Sequence, residues 1–336
     1  MSSLRRFASS LGLSITTVSR ALDGYPDVSP ATRERVLKAA AEAGYHPNSA
    51  ARRLRKGSGE TVALVMPSEP GRFYEPVFVE LLAAVGERLA AQHYDLVLLA
   101  ARPGPDEMAV YRRLVEGRRA DALIVVRTRR VDERVIFLQS KGVPFVCHGR
   151  TDVATPYAFI DGDGESGFRD VTARLIARGH RRIALLSAPS DLMFTVFRTS
   201  GWRRALAEAG LAGGDLIAEG TPTEEGGYAL AKAFLARAER PTALVCATDR
   251  MAIGAMRAAG EFGLKIGTDI AITGHDNIQA ATLTDPALTT MELPLREVGE
   301  RVADMVLARL GGADPRDLVE IRPLVQMPRA SSGEGP

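Results

Sequence analysis

From Thr61 onward the chain alternates short runs of Val, Ile and Leu with longer amphipathic stretches, and few folds tolerate that alternation. TVALVMP, YDLVLLA, DALIVV and VPFVCHG are too short for core helices and too continuously apolar for strands with one wet face. Such runs fit parallel strands covered on both faces. Parallel neighbours need a crossover, which FVELLAAVGERLAAQ supplies as a helix. The pattern then repeats. RRIALLSAP matches TVALVMP, GWRRALAEAGL takes the place of the first helix, RPTALVCATD matches RADALIVVRT, and LKIGTDIAITGHD matches SKGVPFVCHGR. A period of about 120 residues is too long for a solenoid and fits two similar doubly wound lobes. Open α/β sheets bind ligands at the carboxyl ends of their strands, so two lobes imply a cleft between them.

The first sixty residues follow a different pattern. LRRFASSL reads as a helix with Leu4, Phe7, Ala8 and Leu11 on one face, and Gly12 breaks it. Ser14 caps the next helix, ITTVSRAL, which stops at Asp23-Gly24. Ser29 caps a third, with Pro30 at its first position, and ATRERVLKAAAEA runs to Gly44. Two short helices around a Gly turn, with a third to bury them, make a helix-turn-helix. Charge separates the same segment. Residues 1–60 hold ten Lys and Arg against five Asp and Glu, whereas the remainder holds 33 against 36. The net charge of +2 thus conceals a basic module on a mildly acidic body. A basic face is either solvated surface or the footprint of a polyanion. SAARRLRK follows, with four basic residues and one large apolar one, Leu54. A helix there has nothing to bury and is expected to fold only on a partner, with Gly57-Ser58-Gly59 as a joint.

The remaining features narrow the function class. At 336 residues the chain exceeds what one core serves, and 46% hydrophobic with 25% charged residues is ordinary globular chemistry. No apolar run reaches the ~18–20 residues of a membrane span, and the N-terminal stretch lacks a signal-peptide apolar region. A cytoplasmic protein without a membrane partner is expected. Cys147 and Cys246 sit in separate apolar runs and read as buried free thiols, neither a disulfide framework nor a metal site. There is no GxGxxG after a strand, no P-loop, no HExxH and no GxSxG, so neither an enzyme nor a cofactor is expected.

LGLSITTVSRALDG, VSPATRERVLKAAAEAGYHPN, the AARRL of the linker, LIARGHRRIALLSAP, GWRRAL, TDRMAIGAM and ITGHDN occur in an order and spacing that resemble the lac repressor and purine repressor family of bacterial transcription factors. The resemblance covers about 330 residues. It implies an α/β fold: a helix-turn-helix head over 1–46, a hinge helix and linker over 47–60, and a periplasmic-binding-protein-like core over 61–336. Within that core, one lobe takes about 61–160 with 293–325 crossing back, and the other about 161–292. It also implies a homodimer reading a near-palindromic double-stranded operator, and the tail MPRASSGEGP has no heptads that would build a coiled-coil tetramer.

In such a head the second helix enters the major groove by its N-terminal residues. Ile15 and Thr16 are then candidates for thymine methyls and Arg20 for guanine O6 and N7. Thr17, Ser19 and Asn48 are candidates for phosphate contacts, while Val18 and Leu22 face the core. Leu54 matches the family's minor-groove wedge, Arg55 enters the widened groove, and Arg52 and Arg53 meet phosphates. For the cleft, Arg198 matches the family's ligand-clamping Arg, Asp276 its hydroxyl-accepting Asp, and Phe73 and Tyr74 its aromatic pair. Arg127, His148, Arg150, Asp161 and Asp249 are further candidates at strand ends. Asp249 is alternatively the cap of the helix MAIGAM, and Arg127 alternatively a solvated loop charge.

The chain also departs from the family. Thr248 stands where many relatives have Asn, and GTPTEEGGY lacks an aromatic found in some. HGR and PTEEGGY are most similar to regulators of α-glucoside use, so an α-glucoside or other di- or oligosaccharide is the expected effector and repression the expected output. The alternatives are a sugar-binding transport protein, which the basic head disfavours, and a nucleobase-responsive corepressed regulator. Coupling between effector and operator of ~1–3 kcal/mol is typical of such allostery.

Overall fold

The computed structural model describes residues 4–22, 25–45, 59–67 and 77–334. They form two compact units, Met1–Gly59 and Glu60–Pro336. In the first, α1 (Leu4–Ser10), α2 (Ile15–Leu22) and α3 (Pro30–Glu42) enclose Phe7, Ala8, Val18, Ala21, Val28, Val36, Ala40 and Tyr45. Gly12 makes the turn between α1 and α2 at φ +64°, a conformation costly for a side chain with a Cβ. Ser14 Oγ accepts the Thr17 amide at 3.0 Å and Ser29 Oγ the Thr32 amide at 3.3 Å, so both expected caps form. Phe7 stacks on Tyr45 with ring centroids 4.3 Å apart, closing so small a core from the C-terminal side. The helix expected over 49–56 lies outside the described residues, as does Asp23-Gly24.

The second unit contains both repeats. β1 (Thr61–Pro67), β2 (Asp95–Ala101), β3 (Ala122–Val126), β4 (Phe145–His148) and β5 (Ala158–Gly162) join β11 (Val319–Arg322) in one parallel sheet, ordered β11-β5-β4-β3-β1-β2. β6 (Ile183–Ser187), β7 (Ile217–Glu219), β8 (Ala243–Cys246) and β9 (Ala271–Thr273) form the other, ordered β7-β6-β8-β9. Each sheet starts in its middle and switches sides after its second strand, the same winding twice. Burial on both faces explains the apolar runs of β1, β3 and β4, whereas β2, expected to be covered likewise, lies at the sheet edge and leaves Val97 and Leu98 exposed. Val62 and Leu64 pack with Leu81 and Val85 of α4 (Val77–Ala90) and with Val302 on one side, while Ala63 and Val65 pack with Tyr111 and Leu114 of α5 (Pro105–Glu116) and Leu138 of α6 (Glu133–Ser140) on the other.

The chain passes between the lobes three times. It leaves the first after Gly162 into α7 (Gly164–Ala177). Beyond α11 (Gln279–Leu283) it returns from β10 (Thr290–Glu292) into α12 (Leu295–Leu310), then leaves again from β11 to β12 (Val325–Met327), which pairs antiparallel with β10. The tail therefore ends on the second lobe, where Ser331 Oγ donates to Ile272 O at 2.6 Å and accepts the Thr289 amide at 2.8 Å.

Glycines let the helices of the second lobe approach closely. α7 meets α8 (Met193–Glu208) at Gly201, and α9 (Glu224–Leu235) meets α10 (Asp249–Glu261) at Gly254. A Cβ at Gly201 would collide with the Glu165 carbonyl oxygen, and one at Gly254 with that of Glu224. Gly254→Ala is therefore expected to destabilise the core by about 1–3 kcal/mol through overpacking, despite the higher helix propensity of Ala. A lower urea midpoint with an unchanged slope checks this.

Candidate functional site

The head carries one site. α2 is amphipathic, with Val18 and Ala21 buried and Ile15, Thr16 and Arg20 on the outer face, where Ile15 is 41% exposed although apolar. The Thr17 hydroxyl shares a 2.8 Å hydrogen bond with Ser14 at the helix start. Arg20 pairs with Asp27 at 3.0 Å, and its guanidinium lies 5.1 Å from the Tyr25 ring centre. Both partners of the ion pair are about half exposed, so the pair is weak enough to exchange for a base edge. Ser19 corrects an expectation. It is only 6% exposed, because one residue past Val18 and two before Ala21 it falls on the rim of the buried arc rather than on the outer face. Asn48, Arg52, Arg53, Leu54 and Arg55 lie outside the described residues.

The second site is a cleft of about 330 Å³ at the carboxyl ends of the strands of both lobes. It gathers Arg127, His148, Arg150 and Asp161 from the first lobe and Arg198 and Asp276 from the second. Phe73 and Tyr74 lie outside the described residues. Among the described residues the aromatic lining is Phe78, Phe194 and Phe197, none of them among the residues expected from sequence. Phe194 and Phe197 stand four and one residues before Arg198 in α8, so the helix that supplies the clamp supplies the wall. Each ring has a guanidinium on its face: Arg127 lies 5.8 Å from the Phe78 centroid, Arg198 4.5 Å from Phe194 and Arg150 3.6 Å from Phe197.

The polar groups form a relay centred on His275, which adjoins Asp276 in the GHDN stretch and was not singled out. Arg198 Nη2 lies 3.4 Å from His275 Nε2, and His275 Nδ1 lies 2.7 Å from Asp276 Oδ1. A neutral His275 satisfies both contacts, accepting at Nε2 and donating from Nδ1. Burial holds its pKa below the usual imidazole value, and the nearby Arg198 cation pushes the same way. Arg198 also donates to the Ala247 carbonyl, and burial lowers its own pKa. On the opposite wall Arg150 donates to Asp161 at 2.8 Å, and His148, its pKa lowered by burial, meets Phe78 edge-on. His148 Nε2, one terminal nitrogen of Arg150 and Arg198 Nε find no hydrogen-bond partner among the described residues. Buried donors and acceptors left open in this way are the template a polyhydroxylated ligand satisfies.

Asp249 stands apart. The helix cap is Thr248, whose Oγ1 accepts the Met251 amide at 3.3 Å. Asp249 is fully buried beneath the cleft, where its carboxylate accepts the Ile278 amide at 2.9 Å and the Thr290 hydroxyl at 2.5 Å. It is thus neither cap nor cleft lining. It ties α10 to the loop that carries Asp276. Glycine is required at Gly274, where a Cβ would strike this carboxylate.

With a helix-turn-helix head and a two-lobed core established, the comparisons are decisive. Residues 4–48 match the bacterial regulatory proteins of the lacI family, and residues 59–326 the periplasmic binding proteins and sugar binding domain of the LacI family. The chain belongs to the LacI family of transcriptional regulators. Among LacI-family relatives it is 39% identical to the regulator AglR of Rhizobium meliloti (strain 1021), over 99% of this chain and 95% of that protein. RafR of Escherichia coli is 36% identical over 94% of each. The CelR–cellobiose complex superposes with a TM-score of 0.76 at 31% identity, covering 98% of this chain and all of that one. The lac repressor dimer bound to operator and the anti-inducer ONPF gives 0.85 at 26% identity, covering 98% and 99%. This LacI-family chain is accordingly a DNA-binding transcriptional regulator with a sugar-binding type of core. Among its described residues no helix is long and apolar enough to cross a membrane.

Burial and the neighbouring Asp276 charge push the Asp249 carboxyl up to about 7, from an ordinary 3.8. A carboxyl whose folded pKa is raised stabilises most below its unfolded pKa, and that contribution is lost as pH rises through the folded one. Melting temperature compared between wild type and Asp249→Asn from pH 4 to 8 isolates this group from the histidines, which titrate in the opposite sense. The wild type is expected to lose ground against the variant across this window.

Proposed function

We propose that the chain acts in the cytoplasm as a homodimeric repressor of a near-palindromic operator, and that a disaccharide-class effector, an α-glucoside foremost, occupies the cleft and sets operator affinity. One observation supports this above the others: the Arg198–His275–Asp276 relay and three phenylalanines line one cleft that spans both lobes. Paired hydrogen bonds from a guanidinium and a carboxylate suit vicinal hydroxyls, and aromatic faces suit the apolar side of a pyranose. A solved relative holds cellobiose. In the head, Arg20 leaves Asp27 for a guanine, Ile15 and Thr16 meet thymine methyls, and Thr17 contacts a phosphate. Asn48, Arg52 and Arg53 add phosphate contacts, and Leu54 with Arg55 enters the minor groove.

Gel shift on the promoter region upstream of its own gene, with and without maltose, sucrose, trehalose, melibiose and cellobiose, tests both halves. A shifted fragment whose retention changes with an α-linked member is expected. Retention of no fragment at low salt, or a complex indifferent to every sugar, overturns the corresponding half. Arg20→Ala is expected to relax discrimination at one base pair by about 1–3 kcal/mol. Arg198→Ala is expected to leave effector-free operator affinity within about twofold while weakening the sugar response at least tenfold, because a charge-assisted pair contributes ~1.5–3 kcal/mol.

A further inference from the structure

Beside the cleft, the two lobes touch through their main chains. The loop after β3, residues 127–130, runs antiparallel to residues 191–193 at the start of α8. Arg130 N donates to Asp191 O at 3.0 Å and Met193 N to Thr128 O at 2.9 Å, with Arg129 and Leu192 opposed as a bridge between them. Main-chain pairing of this kind between lobes joined by three crossings is a catch that can open without unfolding either lobe.

The first-lobe side of the catch rests on a buried charge cluster. Arg134 and Glu107 are fully buried and pair at 2.7 Å, and Arg134 also holds Asp132 at 2.7 Å. From there Arg134 donates to the Arg127 carbonyl at 3.0 Å, Asp132 accepts the Arg129 amide at 3.0 Å, and Glu107 pairs with the Arg129 side chain at 2.7 Å. Arg127 itself stands at φ +50°, a left-handed conformation a non-glycine residue holds only when its surroundings impose it. A cluster of buried charges is a poor way to add stability, since apolar side chains of equal volume do as well or better. It is a good way to impose one loop shape, because each charge has a fixed set of donors and acceptors to meet.

We propose that residues 127–130 and 191–193 form a latch that holds the cleft closed, and that Glu107, Asp132 and Arg134 are positioning residues that aim its first-lobe half. The latch closes whichever ligand the cleft takes, so it stands apart from the sugar assignment above.

Met193 allows a clean test. It is the first residue of α8, where proline is well tolerated, and Leu192 before it sits at φ −80°, ψ 127°, as a residue preceding proline requires. Met193→Pro and Met193→Ala both lose the buried side chain, but only proline loses the N–H that meets Thr128. Hydrogen exchange of the full-length, ligand-free protein is then followed at Arg130, in the other lobe. The Arg130 amide is expected to exchange roughly 3- to 10-fold faster in Met193→Pro than in Met193→Ala, as loss of one hydrogen bond from a cooperative pair predicts. Equal exchange in the two variants overturns the latch, and so does acceleration confined to 191–195. Should the proline variant fail to fold, Arg134→Lys keeps the buried charge but cannot serve Asp132, Glu107 and the Arg127 carbonyl together. Faster exchange in both 127–130 and 191–193 is expected of it, and loosening of the first segment alone overturns the proposal.

Discussion

Parallel pairing forces every strand of a sheet to end at the same edge, and that constraint organises this molecule. Because β1, β3, β4 and β5 all finish on one side, Arg127, His148, Arg150 and Asp161 leave their strands in one direction. The second sheet does the same for Thr248, His275 and Asp276, and α8, which follows β6, brings Arg198 to the same cleft. Residues separated by up to about 150 positions thereby face one cavity with no local sequence relation between them. The three crossings between lobes turn this edge-to-edge arrangement into a cleft whose walls belong to different bodies of the fold.

The cost of the site is desolvation. His275 is buried and Arg198 partly so, and what offsets the lost hydration is a set of fixed partners: the Ala247 carbonyl, the Phe168 and Phe194 rings, and Asp276 at the end of the relay. Such a site is already ordered before a ligand arrives, so less ordering remains to be done on binding. Asp249 extends the same logic one layer down, accepting from Thr290 and Ile278 and so fixing the loop on which Asp276 stands. The first lobe uses the same device in the Glu107–Asp132–Arg134 cluster. Each wall of the cleft is thus supported by buried carboxylates that do not line it.

The head works by different physics. Among the described residues its core is eight buried side chains, two of them the stacked pair Phe7 and Tyr45, enough to order three short helices but not to bury the outer face of α2. Ile15 and Thr16 remain outside because the helix offers only one apolar arc, filled by Val18, Ala21 and the rim residue Ser19. The surface left over is a polar, cationic face suited to a groove lined with base edges and phosphates.

The sequence by itself determined the element order, the repeated winding, the capped helix-turn-helix and the basic head. All of these follow from local periodicity, capping chemistry and charge, which are carried by near neighbours along the chain. It also marked Arg127, His148, Arg150 and Asp161 of the cleft, because strand ends are visible as the places where apolar runs stop, whereas Arg198 and Asp276 followed from the family resemblance. Only the tertiary structure decided which of them touch. Phe194 and Phe197 look like ordinary helix residues until α8 is laid against the other lobe. Asp249 looks like a cap until the β9–β10 connection is folded over it, and Ser19 looks like a polar surface residue until three helices close around it. Burial and partnership depend on elements distant in sequence, so no window of neighbouring residues contains them.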